Sequence, residues 1–190
     1  MSTESLRKPN LFITGPPGIG KTTVFRKVVE QLTVPVRGFF TKEVRKEGRR
    51  VGFALETLEG DSLMFAHVNF RTRFRVGRYG VRVDILDDWG VKEIERGIEE
   101  DMVVAFDEIG KMELFSQGFR DAVIAALDSH SPVVATLSQH GAAFTEKVRT
   151  REDVKIARVS QENRDTLHFR ILEYLDPLLQ QRYGKRGDNA

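Results

Sequence analysis

The stretch ITGPPGIGKTTVF, residues 13–25, decides how this chain folds. Within it, Gly15-Pro16-Pro17-Gly18-Ile19-Gly20-Lys21-Thr22 satisfies G-x-x-x-x-G-K-[ST] at every required position. Bringing several backbone N–H groups onto one anion needs glycines, which reach unusual dihedrals and permit close approach. The flanks agree. Residues 10–14 (NLFIT) form a short apolar run that predicts a buried strand. After Gly20, the residues Val24, Phe25, Val28, Val29 and Leu32 recur at helical spacing, with Pro35 just beyond the end. The helix therefore aims its positive end at the loop. Lys21 is expected near the β- and γ-phosphates of a nucleotide, and Thr22 to offer its hydroxyl to Mg2+.

Downstream, VRGFFTKEVR, RVGFALETL and SLMFAHV alternate with the turn-like KEGR and EGD. They predict an antiparallel β meander inserted after the first helix, within residues 36–82. YGVRVDI (79–85) reads as a further strand, and DWGVKEIERGIEE (88–100) as a helix with Val91, Ile94 and Ile98 on one face. MVVAF (102–106) is a continuous apolar run, as a central buried strand requires. A helix over 116–129 turns Phe119, Ala122, Val123, Ala126 and Leu127 inward. PVVAT and VKIARV give two more short strands, and 161–182 a long closing helix. Buried strands alternating with helices predict an α/β layered sheet with helices on both faces. One domain over 1–183 is expected, with a flexible tail at 184–190 whose Arg186-Gly187-Asp188 triplet reads as a chance match.

A phosphate loop needs an acid from a neighbouring strand to order its metal. Asp107 ends the apolar run, where an open α/β sheet places its ligand crevice. It is assigned to Mg2+ through a water, with Thr22 offering its hydroxyl, since the ion keeps several waters and takes few protein carboxylates. Glu108 follows and is the candidate for orienting and polarising a water against the γ-phosphate. Asp107-Glu108-Ile109-Gly110 also matches D-x-x-G, the γ-phosphate switch of regulatory GTPases, but no N-K-x-D guanine reader follows. Lys111 is placed to pair with Glu108 or Glu113, or to approach a phosphate. Asn163 and Arg164, after the last predicted strand, are read either as base contacts or as a helix start. Thr136 and Ser138 could face the γ-phosphate or satisfy local backbone. The arginine that would neutralise the transferring group is not identified; Arg71, Arg73, Arg75, Arg78, Arg149, Arg151 and Arg164 are candidates.

Composition narrows the alternatives. Of 190 residues, 40% are hydrophobic and 31% charged, which is ordinary for a globular protein. The net charge of +2 is too small to imply nucleic acid, although residues 37–82 carry eleven Lys/Arg against five Asp/Glu. The absence of cysteine excludes disulfides, thiolate metal sites and a cysteine nucleophile. The four histidines have no metal-ligand spacing. No apolar run reaches membrane-spanning length and the N-terminus lacks a signal-peptide core, so a cytoplasmic protein is the default expectation; separately, a monomer is expected.

Taken together, GPPGIGKTT (15–23), GFFTKEVR (38–45), GRRVGFAL (48–55), DEIGKMELFS (107–116) and NRD (163–165) resemble the cancer-related nucleoside-triphosphatase family and its bacterial and archaeal relatives, over about residues 10–175. The phosphate loop is shared by many proteins; its combination with DEIGKMEL and the Gly-Phe-Phe-Thr run is far more specific. The resemblance implies a RecA-like or kinase-like P-loop fold and slow, Mg2+-dependent hydrolysis of nucleoside 5′-triphosphates with broad base tolerance. The candidate nucleotide-binding set is Gly15, Pro16, Pro17, Gly18, Ile19, Gly20, Lys21, Thr22, Thr23, Asp107, Glu108, Ile109, Gly110, Asn163 and Arg164, with Lys21 and Glu108 catalytic. Two other readings use the same loop: a small-molecule or polynucleotide kinase, and an RNA- or partner-binding module switched by nucleotide.

Overall fold

The computed structural model describes residues 8–139 and 143–184. Its strands are β1 (Asn10–Gly15), β2 (Val36–Lys46), β3 (Arg49–Thr57), β4 (Ser62–His67), β5 (Arg75–Val76), β6 (Tyr79–Val81), β7 (Val103–Ile109), β8 (Val133–Ser138) and β9 (Val154–Arg158). Its α-helices are α1 (Lys21–Gln31), α2 (Val83–Ile85), α3 (Lys92–Glu99), α4 (Gln117–Asp128), α5 (Ala143–Arg149) and α6 (Leu167–Tyr183). Among the described residues, these nine strands join one sheet in the order β5-β6-β4-β3-β2-β7-β8-β1-β9.

The sheet is parallel from β2 through β7, β8 and β1 to β9, and antiparallel from β2 outward through β3, β4, β6 and β5. The expected meander is present, and it does not stand apart. Val36–Phe40 of β2 pair in parallel with Val103–Asp107 of β7, while Phe39–Lys46 pair antiparallel with β3. One strand thus belongs to both halves and carries the chain from the parallel half of the sheet to the antiparallel, basic half.

Alternation along the strands sends side chains to two cores. On one face, Phe12, Phe39 and Phe106 pack with Phe119 of α4 and Ile94 of α3; the Phe106 and Phe119 rings meet edge to face at 5.8 Å. On the other, Leu11, Ile13 and Val134 meet Phe25 and Val28 of α1 and Leu175 of α6. Helices on both faces explain why β1 and β8 read as unbroken apolar runs. α4 begins as its sequence suggests, with Ser116 Oγ accepting the Phe119 amide at 2.8 Å.

Three boundaries differ from expectation. YGVRVDI is a strand only at Tyr79–Val81; from Val83 the chain turns helical and runs through a π-helical turn, Leu86–Val91, into α3. Apolar residues at 81, 83 and 85 fit a strand period, but Arg82 Nε donates to Asp84 at 2.8 Å, and acids at 84, 87 and 88 favour a helix start. The apolar run at 102–106 continues as strand to Ile109, so Asp107 and Glu108 lie inside β7. The last helix starts at Leu167, because Asn163 closes a turn over residues 158–166. Among the described residues, no helix is long and apolar enough to cross a membrane. The tail from residue 185, with its Arg-Gly-Asp triplet, and His140 lie outside the described residues.

Candidate active site

The site forms where β1, β7 and β8 end, at the carboxyl edge of the parallel half. Gly15 closes β1, the loop follows, and α1 begins at Lys21. Gly18 and Gly20 have φ of 74° and 114°, in the region that favours glycine, so the motif's glycines are where the backbone needs them. Lys21 folds back across the loop. Its Nζ donates to the Gly15 carbonyl at 3.3 Å and lies 3.7 Å from Glu108 Oε2.

Asp107 is buried and held from two sides. Thr22 Oγ1 donates to its Oδ2 at 2.7 Å, and Thr136 Oγ1 on β8 donates to its Oδ1. Thr136 therefore supports the acid, and its hydroxyl is spent there. Burial pushes the Asp107 carboxyl above its usual range, opposed by the two threonine hydrogen bonds and by Lys21. Glu108 is likewise raised by burial, with Lys21 opposing. The ladder between β7 and β8 breaks register between Phe106 and Ile109, and both acids line the same crevice despite being sequence neighbours. A hydroxyl and a carboxylate at hydrogen-bond distance are hard oxygen donors, the kind Mg2+ takes alongside several waters. The residues present therefore fit the ion expected at Thr22 and Asp107.

A cavity of about 870 Å3 spans this region. Gly15, Pro17, Gly18, Gly20, Lys21, Thr22, Asp107 and Glu108 line it. Pro16 and Thr23 are exposed beside it, and Ile19 packs against the α1–α6 core. Ile109 is fully buried in the other core. Gly110 leaves space for two carboxyls, since a Cβ there would come 2.8 Å from Glu108 Oε1 and 2.9 Å from Glu113 Oε2. Asn163 and Arg164 are not brought to the cavity. Asn163 Oδ1 accepts the Ser160 amide at 2.8 Å and its Nδ2 donates to the Arg158 carbonyl at 2.9 Å, which fixes the turn between β9 and α6 and is neither a base contact nor the cap of α6.

None of the seven candidate arginines lines this cavity; Arg26 and Arg50 do. Arg151, for example, is tied to Asp128 and Asp153, each at 2.8 Å. Arg26 sits on α1 with its guanidinium 3.7 Å over the Phe40 ring and a buried Nε that has no hydrogen-bond partner. It was missed because a cation inside an amphipathic helix reads as solvent-facing. Glu113 is also more than a partner for Lys111. It is buried in a short 3₁₀ turn, Glu113–Phe115, and burial together with the Glu108 charge pushes its carboxyl up to about 8. Lys111 makes no ion pair among the described residues and lines the cavity instead.

Residues 10–172 match a family model described as NTPase. The chain belongs to this NTPase family. Among relatives in the family, the nucleoside-triphosphatase THEP1 of Thermotoga sp. (strain RQ2) is 40% identical over 165 residues, covering 87% of this chain and 94% of the relative. The cancer-related nucleoside-triphosphatase homolog of Mus musculus is 38% identical over 174 residues, covering 83% and 92%. The crystal structure of THEP1 from the hyperthermophile Aquifex aeolicus superposes with a TM-score of 0.81 at 37% identity, over 87% of this chain and 98% of that one. The solution structure of a human cancer-related nucleoside triphosphatase gives 0.78 at 36%, over 88% and 97%. The fold of the NTPase family is thus the P-loop α/β fold described above.

Proposed function

We propose that the chain hydrolyses nucleoside 5′-triphosphates to diphosphate and inorganic phosphate, with Mg2+ as cofactor and one domain, residues 1–183, carrying the whole site. The observation that supports this most is the Thr22–Asp107–Thr136 hydrogen-bond chain facing the Lys21–Glu108 contact across one crevice. The relatives' names, all nucleoside-triphosphatases, support the same reaction.

The loop amides from Gly18 to Thr22 receive the β- and γ-phosphates at the amino end of α1. Lys21 leaves the Gly15 carbonyl for phosphate oxygens, a better partner for a cation. Thr22 and Asp107 would hold Mg2+, which neutralises charge developing on the phosphates. Glu108 orients a water in line with the γ-phosphorus and takes its proton as the new P–O bond forms. The bond to the β,γ-bridging oxygen breaks and its electron pair leaves with the diphosphate. A carboxyl raised by burial suits this work, since a stronger base draws the proton further. Broad base tolerance fits an Asn163 whose amide is occupied by its own turn.

Glu108→Gln tests the assignment. It should keep nucleotide binding within a few-fold while phosphate release falls about 10²- to 10⁴-fold. Unchanged turnover in this variant would remove Glu108 from the role.

A further inference from the structure

Hydrolysis does not account for the far half of the cavity. In the sheet order, β7 with Asp107 and Glu108 stands between β1, which carries the phosphate loop, and the β2–β3–β4–β6 wall. A nucleotide anchored on the loop brings its γ-phosphate up to Lys21 and Glu108. The space over β2, β3 and β6 then lies past the γ-phosphate. This step rests on the γ-phosphate position given above.

That space has two chemical zones. On the Asp107 side it carries cations beside the acids Glu108 and Glu113, and the Arg26 charge acts on Asp107. Arg26 and Lys111 both line it, neither makes an ion pair among the described residues, and the Arg26 Nε is buried without a partner. Farther out it is aromatic. Phe53 and Tyr79 meet edge to face at 5.3 Å, the Arg50 guanidinium lies 5.1 Å from the Phe53 ring, and Arg50 Nε donates to the Tyr79 hydroxyl at 3.1 Å. Glu43 is shared by Arg45 and Arg50, so one carboxylate faces two guanidiniums and the wall stays net positive. Water as the only acceptor would need neither zone. An inorganic anion would use the cations and leave the aromatic wall idle; an apolar ligand would leave Arg26 desolvated and unpaired.

We propose that this compartment binds a nucleoside 5′-monophosphate, its phosphate on Arg26 and Lys111 and its base against Phe53, Tyr79 and Arg50, and that this phosphate accepts the γ-phosphoryl group in place of water. An oxygen of the monophosphate dianion attacks the γ-phosphorus and forms the new P–O bond. The bond to the β,γ-bridging oxygen breaks with its electron pair, so one triphosphate and one monophosphate yield two diphosphates. No proton has to leave the acceptor. Stacking and cation–π contact on the base tolerate any base, because each has a π-face.

The test uses the full chain with Mg2+ and γ-labelled ATP, with and without AMP, GMP, CMP or UMP. Label should move from inorganic phosphate into a nucleoside diphosphate as the monophosphate is raised. Arg50→Ala should raise the monophosphate concentration for half-maximal transfer about tenfold, leaving phosphate release without acceptor within about twofold. Calorimetry should show the monophosphate binding to enzyme saturated with a non-hydrolysable ATP analogue, about tenfold more weakly in Arg50→Ala. Phosphate release with no labelled diphosphate at any monophosphate concentration would overturn the inference and leave the hydrolase reading intact. Loss of both label paths in wild type would overturn both. Competition between monophosphate and analogue for one site would also overturn it, by giving the compartment to the triphosphate's own base. So would transfer that persists in Lys21→Ala, which would come from another site.

Discussion

At the scale of single residues, the site is a set of acids whose environments differ. Asp107 is buried but satisfied by two hydroxyls, Glu108 is raised by burial and held down by Lys21, and Glu113 is buried beside Glu108 with no cation paired to it among the described residues. Glu113 has a consequence for stability. Its folded value, about 8, lies above the ordinary glutamate value of 4.5, so the folded state binds more protons than the unfolded one between these pH values. The stabilisation is full below 4.5 and is lost as pH rises through about 8. Glu113→Gln should therefore flatten the fall of stability across this window and raise stability at pH 8.5 by about 1–3 kcal/mol. Urea or thermal melts of both proteins at pH 5 and pH 8.5 check it; an equal loss across the window in the variant would assign the pH dependence elsewhere. The loop and the Asp107-Glu108 pair were legible in the sequence because covalent spacing and an adjoining strand place them. Arg26 and the depth of Glu113 were not. Their surroundings come from Phe40 on β2 and the acids of β7, far away in sequence, which no periodicity along α1 or after Gly110 reports.

At the scale of elements, β2 is the member on which most depends. It pairs with β7 directly below Asp107 and carries the chain into the antiparallel half. Arg37 fastens it to α3 and the residue after it, with ion pairs to Glu93 at 3.2 Å and to Glu100, just past the helix, at 3.2 Å, and reaches Glu59 at 3.0 Å. Gly38 allows β2 to lie where it does. Its φ is 149°, and a Cβ there would sit 1.7 Å from the Ala105 carbonyl oxygen, two residues before Asp107. Gly38→Ala should cost about 2–4 kcal/mol through strain and separation of the two strands. It should also slow phosphate release, because Asp107 moves with β7. A urea midpoint equal to wild type would contradict the pairing of these strands. Hydrophobic period gave β1, α1, α4 and the core of β7 correctly, since each is apolar on the side or sides that tertiary packing covers. It failed over residues 79–85, where Val81, Val83 and Ile85 alternate as a strand would, yet the acids that follow start a helix. It also started the last helix early, because Asn163 was free to be a turn residue or a cap and the sheet edge at β9 decides between them.

At the scale of the whole molecule, one sheet joins two chemistries. The parallel half supplies the phosphate loop and its acids, as other P-loop proteins do. The antiparallel half supplies a basic and aromatic wall across the same cavity. The sequence showed the excess of positive charge over residues 37–82 but not that Arg50 and Lys42 would face the nucleotide crevice, which depends on β2 pairing with β7. The central claim, that Thr22 and Asp107 hold Mg2+ for a water directed by Glu108 at the γ-phosphate of any nucleoside triphosphate, is tested most directly by phosphate release from ATP, GTP, CTP and UTP with and without Mg2+. The account predicts release from all four within about tenfold of one another, with at least about a hundredfold loss when the metal is removed. Release that continues undiminished in a metal chelator, or that is confined to a single base, would contradict it.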